Sequence, residues 1–284
     1  MELTPSGFED AQLRSYAALF TACFPGASHL HETYLRWLYR ENPAGTVVGF
    51  DAWESGRLAA HYVCVPASVQ VGGAPRRALL SLNTATHPDF QGRGLFTRLA
   101  EATYARGTEA GYDLVFGVAN ANSTPGFVRK LGFHLVTPLD SWIGVGRLRG
   151  VDWTSVGEAG FARAWPAPEL AWRLRNPASP VRSLALPGGS TGFLAATGKP
   201  GISAWAELPG DQAPEARGGA GFGARVFLGR IPGRARPPAA YTRIPDRLRP
   251  SPLNLIVRGL GSRGGDVAPD PSRLFFTFLD FDAF

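Results

Sequence analysis

Lysine is almost missing from this chain: Lys130 and Lys199 are the only two, so arginine carries nearly all of the positive side of a net charge of +6. With abundant Gly, Ala and Pro, that bias reads as the mark of a GC-rich genome. The arginines are scattered and lack the aromatic interleaving of a base-stacking surface, which disfavours nucleic acid as a partner. A mildly basic surface still suits a polyanionic ligand. Cysteine is equally scarce, and Cys23 and Cys64 cannot build a disulfide framework; both read as core residues. No CxxC or HExxH spacing occurs, and His29 and His31 lack companions at ligand spacing, so no metal is expected. No apolar run approaches the length needed to span a membrane. The first residues lack the basic and apolar regions of a signal peptide, which reads as a cytoplasmic protein.

What the chain has in quantity is glycine and proline, 35 and 24 residues, which point to many turns and short strands. Its 284 residues suffice for one large domain or two ordinary ones. The organising stretch is His87-Pro88-Asp89-Phe90-Gln91-Gly92-Arg93-Gly94-Leu95. An apolar run over residues 78–82 enters it as a strand, and Pro88 ends the ladder because it has no N–H to donate. Leu95, Phe96, Leu99, Ala102 and Ala105 then recur at helical spacing up to Gly111. Strand, glycine turn and helix start make an anion site: the first helical N–H groups have no internal partners, and the helix dipole adds positive potential. Gly92 and Gly94 let a backbone approach a ligand closely, and Arg93 adds charge. A phosphate loop of nucleotide hydrolases would need Gly-Lys-Ser/Thr here, and a dinucleotide turn a third glycine.

The run Gln91-Gly92-Arg93-Gly94-Leu95-Phe96 resembles the Gln/Arg-x-x-Gly-x-Gly/Ala signature of the GNAT superfamily of acyl-CoA-dependent N-acetyltransferases, with Phe96 where the family usually has a small residue. Phe127-Val128-Arg129-Lys130-Leu131-Gly132-Phe133 is similar to its second landmark, and the resemblance covers residues 30–140. It implies an α/β (α+β) fold with a mixed, mostly antiparallel sheet flanked by helices. It also implies acetyl-CoA contacts at Thr84, Ala85 and Thr86 through backbone, and at Gln91, Gly92, Arg93, Gly94, Leu95, Phe96 and Thr97 around the pyrophosphate. Asn120, Asn122 and Phe127 would lie near the pantetheine. The asparagines have an equal alternative as turn caps.

In chain order, helices are expected over residues 8–23 and 28–41, then strands over 46–53, 57–71 and 77–86. The helix after the turn is followed by a strand over 113–119 and a short helix to Leu131 capped by Ser123 or Thr124. Beyond Arg147 a repeat emerges: Leu35-Arg36-Trp37-Leu38-Tyr39-Arg40-Glu41-Asn42-Pro43 is echoed by Leu170-Ala171-Trp172-Arg173-Leu174-Arg175-Asn176-Pro177 with one residue deleted. In both, a Leu-x-Trp helix ends at Asn-Pro, since the residue before proline leaves helical geometry. Strands follow over 181–186, 192–196, 202–208 and 224–228, and late strands over 253–257 and 274–279. This reads as a duplication: residues 1–147 as an acetyl-CoA-binding domain and 148–284 as a degenerate GNAT-like domain without a phosphate-binding turn, similar in layout to tandem acetyltransferases.

Acetyl transfer needs a neutral amine, an oxyanion site and a proton for the departing thiolate. Many family members use a strand carboxylate and a Tyr on the following helix, but here the strands offer Asn83, Phe116 and Gly117, and the Tyr position is Val128. Catalysis rests either on positioning and backbone donors or on a group from the second half, with Asp280, Asp282 and the Phe284 carboxylate as candidates by analogy; Asn83 is the remaining strand candidate. The expected function is transfer of acetyl to a primary amine of a small molecule, an amino sugar or amino acid derivative. The alternative is an acyl-CoA sensor without catalysis, and an oligomer is left open.

Overall fold

The computed structural model describes residues 1–210, 223–249, 251–265 and 267–283. The chain opens with β1 (Glu2–Pro5), α1 (Asp10–Cys23), α2 (Glu32–Tyr39), β2 (Val48–Glu54), β3 (Arg57–Val71) and β4 (Ala74–Thr86). Leu13, Tyr16, Leu19 and Phe20 give α1 one buried face, and Glu9 and Gln12 close a reciprocal cap at its start. Helix α2 is shorter than its pattern predicts because His31 Nδ1 accepts the Tyr34 N–H at 3.3 Å and starts the helix there. After the glycine turn come α3 (Leu95–Glu109), β5 (Leu114–Ala119), α4 (Thr124–Leu131), β6 (His134–Pro138) and β7 (Asp140–Gly144).

The second half carries α5 (Trp153–Gly157), β8 (Phe161–Arg163), α6 (Ala167–Leu174), β9 (Arg182–Leu186), β10 (Ser190–Ala196), β11 (Ile202–Pro209), β12 (Ala224–Gly229), β13 (Tyr241–Arg243), β14 (Asn254–Gly259) and β15 (Leu274–Phe275). Two sheets result, both mostly antiparallel. One runs β1-β2-β3-β4-β5-β14-β6, with β8 and β15 attached beside β3; the other runs β13-β7-β12-β11-β10-β9.

The sheets exchange strands across residue 147. Strand β7, inside 1–147, pairs with β12 and β13 of the second sheet. Strand β14, inside 148–284, lies between β5 and β6 of the first. Helices α1 and α2 cover one face of the first sheet, where Val63, Val65 and Val69 of β3 join their core. Helix α3 covers the other face, against Tyr62 and Cys64. The two copies of the Leu-x-Trp helix meet at the centre: Trp37 and Trp172 stack with ring centroids 4.5 Å apart. Each indole N–H donates to the other's backbone carbonyl, at 3.1 and 3.0 Å.

Residues 274–279 do not form the long strand their apolar run predicts. Only Leu274–Phe275 pair with β8, because Thr277 caps a 3-10 turn over Phe278–Asp280 and its N–H donates to Asp280 Oδ2 at 2.5 Å. Arginine- and proline-rich residues 230–252, read from the sequence as surface loop with one short helix, contribute the edge strand β13 and a 3-10 turn over Asp246–Leu248. Of the glycine-rich residues 218–223, read from the sequence as preceding a strand and not a helix, only Gly223 lies within the described residues.

Candidate active site

Strands β4 and β5 run parallel and pair only at Ala78–Leu114, Leu79–Val115 and Leu80–Phe116. Beyond Leu80 and Phe116 they part, since β5 turns its other edge to β14 while β4 stays on β3. A bulge widens the fork: between Leu82, opposite Val63, and Ala85, opposite His61, β4 has an extra residue, and Asn83 sits there at φ 51°. A positive φ is tolerated by asparagine better than by most side chains, and a bulge re-aims its residues. The fork is a cleft of about 670 Å³.

The cleft gathers Asn83, Thr84, Thr86, Gln91, Phe96 and Asn120 in its wall, with Asn122 and Phe127 also lining it. Ala85 turns its side chain into the core beside α1 and α2. Gly92, Arg93 and Gly94 are exposed and Thr97 half-buried, none of them in the cleft lining, while Leu95 is buried. Gly92 and Gly94 take φ of 75° and 70°, and a Cβ built on either would meet no atom within 4 Å, so both amides present an open backbone. The first helical bond of α3 is Arg98 N–H to Gly94 C=O, at 3.2 Å. The N–H groups ahead of it are those that helix geometry leaves for an anion. This turn fits the pyrophosphate of an acyl-CoA, and the fork fits a pantetheine arm bonded to free strand edges.

Other assignments shift. Phe96 does not displace the helix start; its ring stands edge-on to Phe127 at 5.2 Å and packs where Gly126 leaves no side chain. Neither Ser123 nor Thr124 caps α4 through its side chain in the expected way. Asn120 does the turn work, with Oδ1 accepting from the N–H groups of Asn122 at 3.0 Å and Ser123 at 2.9 Å. Arg93 lies 3.2 Å from Glu54 across the turn.

The candidates from the chain end lie elsewhere. Phe284 is outside the described residues. Asp282 accepts from the Tyr34 hydroxyl, lies 3.6 Å from Arg173 and is 3.5 Å from Asn176 Nδ2. It borders a small neighbouring void, not the cleft. Asp280 is buried and spent on the Thr277 cap and on Trp165 Nε1 at 2.9 Å; desolvation pushes its carboxyl up to about 6 although Arg163 pulls it down.

Sequence reasoning overlooked a buried polar row behind Asn83. Asn83 Nδ2 donates to Tyr39 Oη at 3.2 Å, Tyr39 Oη lies 2.8 Å from His61 Nε2, and His61 Nδ1 lies 2.6 Å from Asp51 Oδ1. Tyr16 and Ser6 also donate to Asp51, each at 2.7 Å. Tyr16, Tyr39 and His61 are fully buried and Asp51 nearly so. The available signal was parity: Asp51 and His61 occupy inward positions of strands where a charged or titratable side chain must find partners. A second row, Ser81–Tyr62–Tyr104, meets the base of the fork, with oxygen separations of 2.8 and 2.6 Å; burial raises both tyrosines well above their ordinary range, so both remain proton donors.

Residues 6–136 match the family model described as an acetyltransferase (GNAT) domain. Among solved structures, a GCN5-related N-acetyltransferase of Kribbella flavida superposes with TM-score 0.62 at 12% identity, over 94% of this chain and 74% of its own. A probable N-acyltransferase of Enterococcus faecalis V583 gives 0.59 at 12%, over 91% and 72%. Eis1 of Mycobacterium abscessus gives 0.58 at 14%, over 92% and 72%. At such identities these likenesses speak to the fold, and they extend over both sheets. No curated protein matches the sequence. Among the described residues no helix is long and apolar enough to cross a membrane, and no cluster of His, Cys, Asp and Glu could hold a metal ion. The match of residues 6–136 to an acetyltransferase (GNAT) domain, on a fold shared with N-acetyltransferases, thus supports an acetyl-CoA-dependent acyltransferase.

Proposed function

We propose that the protein transfers acetyl from acetyl-CoA to a primary amine of a small molecule, an amino sugar or an amino acid derivative, in the cytoplasm. The observation that carries this reading is the β4/β5 fork opening directly onto the glycine turn at the start of α3. One ligand would then be held at both ends, its phosphates on helix N–H groups and its arm on strand edges. A small acceptor is supported by the concave cleft itself, lined by residues between Cys23 and Phe127, while the second sheet forms a lobe of its own. We read that lobe as a degenerate second copy of the same fold.

With Val128 at the tyrosine position and Asp280 and Asp282 committed to other partners, catalysis falls to positioning and to backbone donors around the thioester. An alkylammonium with a pKa near 10.4 must lose a proton first, so water is the route by which it leaves. Calorimetry with acetyl-CoA is the first test. Micromolar binding, about 8 kcal/mol, that disappears in Gly94→Asp supports the cofactor site, because the variant adds strain at positive φ and a negative charge at the anion turn. CoA release is then followed with glucosamine and glycine methyl ester. Binding without release beyond the hydrolysis rate for any primary amine tried would overturn the amine assignment.

A further inference from the structure

The polar row behind the cleft is directional, and its direction can be worked out one proton at a time. Asp51 accepts from Ser6 at Oδ1 and from Tyr16 at Oδ2, so both of its oxygens are acceptors and it faces His61 Nδ1 as a carboxylate. His61 Nδ1 therefore carries a proton. In the neutral imidazole Nε2 is then a lone pair, and among the described residues the hydroxyl facing it is that of Tyr39, 2.8 Å away, which gives it its proton. Tyr39 Oη, its proton spent, can then only accept, and it accepts Asn83 Nδ2. An asparagine whose amide nitrogen is claimed from behind must turn its carbonyl oxygen the other way. Asn83 lines the cleft, and its Oδ1 has no protein partner among the described residues.

Rotation is blocked at every link. The imidazole of His61 stacks on Tyr16 at 4.0 Å between centroids and meets Phe20 edge-on at 5.7 Å. Tyr39 is completely buried, and Asn83 is held by its own bulge at φ 51°. Four elements contribute, β2, β3, α2 and β4, and each hydrogen bond is satisfied only when the next points the same way. Fastening α1 to the sheet would need no more than the Tyr16–Asp51 bond, and fastening α2 no more than the Tyr39–His61 bond. Carrying the row on through His61 and Tyr39 to a strained residue in the cleft wall does more.

We propose that Asp51, His61 and Tyr39 are positioning residues that lock the Asn83 side chain with its carbonyl oxygen toward the cleft, where it accepts an N–H of the incoming amine. Asn83 thereby orients the nitrogen lone pair at the thioester without supplying charge. The proposal rests on the amine-transfer reading above and adds to it which group receives the amine.

The test combines kinetics with nitrogen NMR on the full chain. Tyr39→Phe and Asn83→Ala should each raise KM for glucosamine or glycine methyl ester about tenfold, the scale of one lost hydrogen bond to a charged or polarised donor. KM for acetyl-CoA should stay within about twofold. The double variant should be no worse than Asn83→Ala alone, because the row acts through Asn83. Additive losses, or an equal rise in both KM values, would overturn the proposal as a general loosening of the fold. In the wild-type chain, which needs no variant to fold, His61 should show the Nδ1–H tautomer; an Nε2–H tautomer overturns the proposal, since Tyr39 would then turn its proton on Asn83. If the wild type transfers acetyl to neither probe, the Asn83 side-chain amide signals of the CoA-saturated protein decide. Signals that shift on adding either amine support the proposal while the transfer reading fails, and unmoved signals overturn it.

Discussion

The two sheets share one strand order and differ in what joins their parallel pair. In the first, β2-β3-β4-β5-β14-β6 alternates antiparallel pairs with the single parallel pair β4/β5; in the second, β9-β10-β11-β12-β7-β13 does the same with β11/β12. Each sheet receives its fifth strand in this order from the other half of the chain. The first connection, residues 87–113, contains the glycine turn and the fifteen residues of α3. The second, residues 210–223, is shorter than α3 alone. Strand pairing thus gives both sheets one architecture, while the glycine turn and α3 of the first lie in a connection and not in the paired strands.

The largest way to break the comparison is at its axis. Trp37→Ala and Trp172→Ala should each cost about 3–5 kcal/mol, since each removes a buried indole from the same reciprocal contact. The double variant should fall short of the sum by about 1–3 kcal/mol, measured by urea unfolding. Clearly unequal single costs would show that the halves lean on each other asymmetrically.

A middle-sized contrast lies in two aspartates that depart from the ordinary range in opposite directions. Asp280, in the second half, has its carboxyl raised to about 6 by burial, against the pull of Arg163. Asp10, on α1, has its carboxyl lowered by the hydrogen bond and charge of Arg36. The signs follow from linkage: the raised group binds its proton more tightly in the folded state, so its contribution to stability falls as pH rises from the ordinary carboxylate range through about 6. The lowered group contributes stability that is lost as pH falls through its folded value. Carbon NMR of the aspartate carboxyls should show Asp280 titrating near 6 and Asp10 below the usual range. A normal titration for Asp280 would mean water reaches it.

The smallest effect sharpens the comparison at the turn itself. Arg93 is paired with Glu54 on an exposed surface, where such pairs contribute about 0–1 kcal/mol. Glu54→Gln should free the guanidinium for a phosphate and tighten acetyl-CoA binding about two- to fivefold at low salt, fading as salt is added. Unchanged affinity would place Arg93 outside the phosphate contacts.

Much of the first half was legible in one dimension. The spacing of Leu13, Tyr16 and Phe20, the Asn-Pro helix ends and the glycine turn are local signals, and local backbone preferences decide them. The cap at Thr277 was legible too, but its apolar neighbours made residues 274–279 look like a strand. Asn83 attracted notice only as the polar residue where a carboxylate was sought; its φ and its role depend on a bulge that appears only when β3 is laid beside β4.

By itself the sequence determined most of the elements, the glycine turn, the Leu-x-Trp repeat and, from two motifs in order, the resemblance of the first half to an acetyltransferase family. Those properties reside in contiguous residues, where φ preferences, caps and periodicity act over a few positions. Only the tertiary structure decided that β7 and β14 change sheets, that Trp37 meets Trp172, and that Asp51, His61 and Tyr39 line up behind Asn83. An apolar strand can be buried in either sheet at nearly equal gain, and a hydrogen-bond row has no direction until folding brings each donor to its acceptor.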